Sequence, residues 1–319
     1  MPFIIIGTIL GVVIIAALTV SYVCYRLAFK KKRHSPDPHA RIKCPEGVSE
    51  EQVHGLIDGL LAERCERVEI TSLDGKRLTG ALYLRKEGAP FRLMCHGYGS
   101  SPFRDMSGGA LAALDFGYNL LLINQRAHAD SEGRCLTFGA KEKEDVLLWA
   151  KYLVELTGGR SEIVLTGLSM GAATVLLASE LELPPEVKCI IADCPYSSAE
   201  EMLKLEIKRR RLPTFLFYPL MRLGARLYGG FSLSECDVKE AVKRARVPAI
   251  ILHGEADSFV PADMSREIYK NYKGEKDMFT VEGATHGMCF MVDTKTYHER
   301  VEGFIRRYLT HWNTGEKND

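Results

Sequence analysis

Glu162-Ile163-Val164-Leu165-Thr166-Gly167-Leu168-Ser169-Met170-Gly171 runs an apolar segment into a G-x-S-x-G, and Ala172 to Glu182 beyond it reads as a helix. Strand, glycine-flanked serine and helix together describe a chain that doubles back sharply. Side chains at 167 and 171 would collide there with the adjoining strand and helix. The turn exposes Ser169 at the edge of a sheet. It also aims the amide of Met170, at the positive end of the following helix, toward the point where negative charge develops in acyl transfer.

Outward from this turn the pattern alternates. Apolar strand-like runs at Phe91 to Cys95, Asn119 to Ile123, Ile163 to Thr166, Cys189 to Ala192, Ala249 to Leu252 and Met278 to Val281 are separated by helical stretches near 105–116, 141–157, 171–182, 262–273 and 294–310. This predicts a mostly parallel sheet covered on both faces. Ahead of it, Val48 to Arg64 has helical spacing, and Val68 to Leu73 and Arg77 to Leu84 flank Asp74-Gly75, a hairpin signal that would supply an antiparallel edge. One interval is too long for a single crossover, so about 198–240 reads as an inserted helical cap. Its Lys208-Arg209-Arg210-Arg211 beside Phe215, Phe217 and Leu220 reads either as a solvated face over a packed cap or as a surface resting on anionic lipid.

The chain has 319 residues, 46% hydrophobic and 26% charged, enough for a sizeable core in one large domain. A net charge of +1 gives no general attraction to nucleic acid. The nine cysteines are odd in number and contain no C-x-x-C pair, so neither a disulfide framework nor a zinc site is indicated. Cys95, Cys189 and Cys194 fall in or beside predicted core strands, where a thiol behaves as a small hydrophobe.

From Pro2 to Tyr25 no side chain is charged, and that length suffices for one transmembrane helix. Arg26 and Lys30-Lys31-Lys32-Arg33 follow it, whereas a cleaved signal peptide carries its charge ahead of a shorter apolar core. We therefore expect residues 1–29 to be an uncleaved membrane anchor and 30–47, with Pro36, Pro38, Pro45 and Gly47, to be a polybasic stretch and linker. Positive charge just after the span places the domain over 48–319 on the cytoplasmic side.

Several segments, in order, resemble the α/β-hydrolase superfamily over roughly 66–312, and within it the capped serine esterases, lipases and peptidase-like hydrolases. The resemblance implies an α/β-hydrolase fold. His253-Gly254-Glu255-Ala256-Asp257-Ser258-Phe259-Val260-Pro261 is similar to that family's acid segment and implies Asp257, with Glu255 and Asp193 as substitutes. Gly283-Ala284-Thr285-His286-Gly287 implies His286 as the base, and His96-Gly97-Tyr98-Gly99 implies Tyr98 as a second oxyanion amide beside that of Met170. Ser169, Asp257 and His286 would then form a catalytic triad. In Asn124 to Gly133 two glycines expected from the family are Ala127 and Ala129, which puts the geometry of that supporting loop in question.

The function implied is hydrolysis of carboxylic esters with apolar acyl groups, on a small-molecule or lipid substrate, without metal or organic cofactor. A peptidase, amidase or thioesterase would use the same residues, and a non-catalytic binding protein on this fold would lack a triad member.

Overall fold

The computed structural model describes residues 1–31, 37–40 and 42–310. In chain order its elements are α1 (Pro2–Ala28), α2 (Glu50–Ala62), β1 (Glu66–Thr71), β2 (Arg77–Tyr83), β3 (Phe91–Cys95), α3 (Pro102–Asp115), β4 (Asn119–Asn124), α4 (Glu142–Thr157), β5 (Ile163–Leu168) and α5 (Met170–Ala178). They continue with β6 (Val187–Asp193), α6 (Ala199–Arg209), α7 (Thr214–Gly224), α8 (Val238–Val242), β7 (Ala249–Gly254), α9 (Ala262–Asn271), β8 (Lys276–Val281), α10 (Cys289–Val292) and α11 (Thr294–Arg306).

The eight strands lie in one sheet in the order β1-β2-β4-β3-β5-β6-β7-β8. The β1–β2 hairpin pairs antiparallel and β2 joins β4 antiparallel, while every later pair is parallel. Alternate side chains serve opposite faces, as the pleat requires. Leu121, Ile123, Leu93 and Leu165 face the layer of α4, α5, α8 and α9, and Leu120, Leu122, Met94 and Val164 face α3 and α11. Because both faces are covered, the central strands read as unbroken apolar runs.

Between β6 and β7 the chain leaves the sheet for α6, α7, a π turn (Ala225–Gly229) and a 3₁₀ turn (Leu233–Cys236) before α8 returns to it. Among the residues the sequence singled out here, Phe217 is half-buried against the core and Phe215 is exposed.

The N-terminal residues depart from the expected tether. Ala17, Val20, Ser21, Cys24, Tyr25, Ala28 and Phe29 form a shielded stripe at helical spacing, and α1 packs along α7 with it. Gly224 allows the close approach, since a Cβ there would run into the Ser21 carbonyl oxygen. Phe29 is fully buried and meets Phe138 and Phe231 edge-on at 5.6 and 5.4 Å. Lys30 bridges Cys135, and Lys31 donates from Nζ to the carbonyls of Ala129 and Ser131 at 3.1 and 2.8 Å. The expected linker therefore does not separate anchor from domain at its start, because hydrogen bonds and ring packing hold residues 28–31 on the core. Lys32, Arg33 and Pro36 lie outside the described residues.

The loop that carries alanines in place of glycines keeps the left-handed backbone regardless, with φ of 60° at Ala127 and 40° at Ala129. A Cβ in that region costs about 1–2 kcal/mol. Ala129 is partly exposed, so little packing is lost with its methyl group. Ala129→Gly is expected to stabilise the protein by about 1 kcal/mol. Equilibrium unfolding in detergent checks this, and a destabilised variant would contradict the strained assignment.

Candidate active site

The end of β5 and the start of α5 cross the end of β3 at contact distance. A Cβ on Gly167 would overlap the Gly171 carbonyl, and one on Gly171 would overlap the carbonyl oxygens of Cys95 and His96. The turn between them holds Ser169 at φ 57°, ψ −117°, a conformation that costs on the order of 1–3 kcal/mol. Its N–H donates to the Asp193 carbonyl at 2.8 Å, and its own carbonyl accepts from Ala173 N–H at 3.0 Å.

Ser169 Oγ lies 2.9 Å from His286 Nε2, and His286 Nδ1 lies 2.6 Å from Asp257 Oδ2. Three residues separated by up to 117 positions thus form one hydrogen-bonded chain. The second oxygen of Asp257 accepts the backbone N–H groups of Phe259 and Val260 at 2.8 and 2.9 Å. Burial alone would raise this carboxyl, but hydrogen bonds from His253 and His286, the charge of His286 and the Val260 N–H together hold it well below the usual carboxylate range.

The alternative acids are engaged elsewhere. Glu255 pairs with Arg266 on the surface at 2.5 Å, and Asp193, whose carboxyl burial raises, sits beneath the site near Cys289 and Tyr297. Three other histidines near the site hold backbone in place. His253 is buried, with Nδ1 2.6 Å from Ser265 Oγ and Nε2 2.8 Å from the Val260 carbonyl, and it steadies the loop that carries Asp257. Cys194 has its sulfur among the donor atoms of Asp257 and His286, all within 4.8 Å. Burial raises its thiol well above the ordinary range, so this group stays protonated and the set suits proton transfer better than a cation.

The turn after β3 is fixed from two sides. Gly97 N–H donates to Asp105 Oδ2 at 2.7 Å, and Gly99 N–H donates to His128 Nε2 at 3.0 Å, with Tyr98 between them. His128 in turn points Nδ1 at the Arg126 carbonyl, 3.0 Å away, while His96 directs Nδ1 to the Gly97 carbonyl and accepts Gln125 N–H at Nε2. Each ring needs one bare nitrogen, so each must be neutral. The sequence did not mark Asp105, because a carboxylate in the first turn of a helix also reads as a partner of the helix dipole.

A cavity of about 880 Å³ opens over Ser169 and His286. Its apolar wall includes Met106, Leu168, Met288, Phe290 and Met291, and Ile42, from the stretch expected to be linker, closes one side. Arg209 reaches over from α6, pairs with Glu206 and donates to the carbonyls of Ser258 and Phe259, clasping the cap to the loop of Asp257. Of the four basic cap residues, this one faces the site. No local signal separates it from its three neighbours in the run.

Comparison with known proteins agrees with this architecture. Residues 93–218 match the family model described as alpha/beta hydrolase fold. The uncharacterized protein YqkD of Bacillus subtilis is 27% identical over 214 residues, 67% of this chain and 70% of that protein. The bifunctional esterase/perhydrolase DCH of Acinetobacter calcoaceticus is 35% identical over 82 residues, 24% of this chain and 28% of its own. Among solved structures, the Pyrococcus furiosus esterase Pf2001 superposes with a TM-score of 0.64 at 22% identity, covering 87% of this chain and 100% of that one.

The neutral histidine pair carries a stability consequence. An unfolded histidine titrates near 6.5, whereas burial depresses His96 to about 4 and burial together with the neighbouring His96 depresses His128 to about 3. With the folded values below the unfolded ones, unfolding takes up protons below about pH 6.5, and stability is lost as pH falls toward about 4. His128→Gln removes one of those protons. Its unfolding free energy should fall less steeply over that window, by about 1.4 kcal/mol per pH unit. Equal slopes for variant and parent would exclude a buried neutral His128.

Proposed function

We propose that this chain, a member of the α/β-hydrolase superfamily, is a membrane-anchored serine hydrolase that cleaves carboxylic esters of apolar acyl substrates. The observation that carries the reading is the continuous hydrogen-bonded chain from Ser169 through His286 to Asp257 on the floor of a cavity with a methionine and phenylalanine wall.

In this reading His286 Nε2 takes the Ser169 proton as Oγ attacks the ester carbonyl, and the ionised Asp257 holds the imidazole tautomer and stabilises the imidazolium. The tetrahedral oxyanion faces the amides of Tyr98 and Met170. Because Asp105 and His128 hold the glycine amides on either side of Tyr98, that donor is set before substrate arrives. Each such donor contributes about 3 kcal/mol. Collapse expels the alcohol with the proton from His286 and leaves an acyl group on Ser169, and water, deprotonated by the same histidine, releases the acid. The methionine and phenylalanine wall supports an apolar acyl group, and the 27 residues of α1, with mean hydropathy 2.9 over their most apolar window, support a membrane anchor with the domain on the cytoplasmic side.

Ser169→Ala should leave the fold intact and lower p-nitrophenyl ester hydrolysis by roughly 10⁴ to 10⁶, with loss of fluorophosphonate labelling. Wild-type turnover in that variant would remove Ser169 from the mechanism. Asp257→Asn should cost around 10⁴, and full activity there would reassign the acid. Matched acyl ester, thioester and anilide substrates separate esterase from thioesterase and amidase, and inertness toward all three would favour a binding protein.

For the anchor, a protease added to intact cells should spare the domain. External cleavage, or a mature N-terminus beyond residue 25, would overturn that part of the proposal.

A further inference from the structure

Outside α1, the large exposed apolar side chains of the described residues gather on the cap, at Leu212, Phe215 and Leu216 where α7 begins and at a second place beside α1. Leu223, Leu227 and Tyr228 are exposed together where α7 runs into the π turn. The same surface touches α1, with Tyr228 Oη 3.3 Å from the Leu18 carbonyl and Gly224 against Ser21. The Tyr228 ring meets those of Tyr22 and Tyr25 at 5.2 and 5.7 Å. Arg26, over the Tyr22 ring at 6.0 Å, and Arg222 and Arg226, on the same stretch of the cap as Leu223 and Leu227, are exposed, and Arg222 also lies within electrostatic reach of Glu200.

The length of α1 decides how deep this surface sits. Pro2 to Ala16 is bare of domain contact on nearly every side, and at about 1.5 Å per residue it spans about 22 Å, short of the roughly 30 Å of a hydrocarbon core. A bilayer-spanning α1 must therefore be immersed for about five further residues, to the neighbourhood of Ser21. Leu18 and Ser21 are the residues against which Tyr228 and Gly224 dock. We infer that the end of α7 and the π turn form a membrane seat, with Leu223 and Leu227 in the outer hydrocarbon, Tyr22, Tyr25 and Tyr228 at the interface and the three arginines at the headgroup phosphates.

This rests on the membrane-anchor reading of α1 and adds to it that the domain is clamped to the lipid. The seat also sets the height of the pocket rim. Tyr98 donates its hydroxyl to the Ala28 carbonyl at 2.9 Å, and Ala28 stands seven residues past Ser21, about 10 Å along the helix axis.

Single tryptophans test the seat in the full-length protein, reconstituted into phosphatidylcholine–phosphatidylglycerol vesicles with or without bromine on the acyl chains. Leu227→Trp reports the seat, Ile9→Trp the span and Leu73→Trp, on the β1–β2 turn, a surface outside the seat, each read as the difference from wild type. All three side chains are more than half exposed, so none is needed for packing. We expect bromine to quench the tryptophans at 227 and 9 to a comparable degree and to leave that at 73 unchanged. Quenching at 9 without 227 would overturn the seat and keep the anchor, and quenching at neither would overturn both. Quenching at 73 as well would mean general adsorption and would equally sink the inference.

Discussion

The passage of Gly171 across the carbonyl ends of β3 is the contact on which the geometry of the Ser169 site depends. Any side chain at 171 would strike the oxygens of Cys95 and His96, so α5 reaches β3 because nothing stands between them. That approach leaves Ser169 too little chain to turn in and forces its left-handed φ of 57°. The strain is carried by the Asp193 carbonyl on one side and the first turn of α5 on the other. A serine on a relaxed turn would lie flat against the sheet. Here Oγ stands clear of it, within reach of a histidine from another loop.

Around that serine, two opposite electrostatic demands are met by the choice of partner. Asp257 has to be charged, and every group aimed at its oxygens is an N–H. His96 and His128 have to be neutral, and each faces a carbonyl at one nitrogen and an amide N–H at the other. Protonating either ring would set two donors against each other in a buried space where no water screens them. Burial by itself would push the aspartate and the histidines toward their neutral forms, and the hydrogen-bond partners reverse that for the carboxylate alone.

Much of this was legible in the chain because it follows from local chemistry. The parallel strands announce themselves as short apolar runs, Asp74-Gly75 marks the hairpin, and Gly167 and Gly171 mark a crossing that tolerates no Cβ. The expectation that Ala127 and Ala129 disturb their loop was right about the cost and silent on the outcome, since Lys31, Ser131 and the Gly99–His128 bond hold the strained backbone in place. Asp105 and Arg209 were not legible. Each acts on backbone groups of another segment, and nothing in the neighbouring sequence records which segment that is.

The N-terminal helix is instructive in another way, since composition reports the solvent of a helix and not its neighbours. A bilayer asks for apolar side chains all round, and Val12-Val13-Ile14-Ile15 answers that demand alone. From Ala17 onward a second demand falls on one face, where small residues let α7 approach at Ser21 and aromatic ones fill the gap to the core at Tyr25 and Phe29. Small and aromatic residues are as acceptable to lipid as to a protein interior, so the second demand leaves hydropathy unchanged. What betrays it is position, a stripe at 17, 20, 21, 24, 25, 28 and 29 that a helix surrounded by lipid alone has no reason to keep. A helix docked in this way has a set direction relative to the pocket rim, because swinging it away from the domain would require breaking the contacts of Phe29 with Phe138 and of Tyr98 with Ala28.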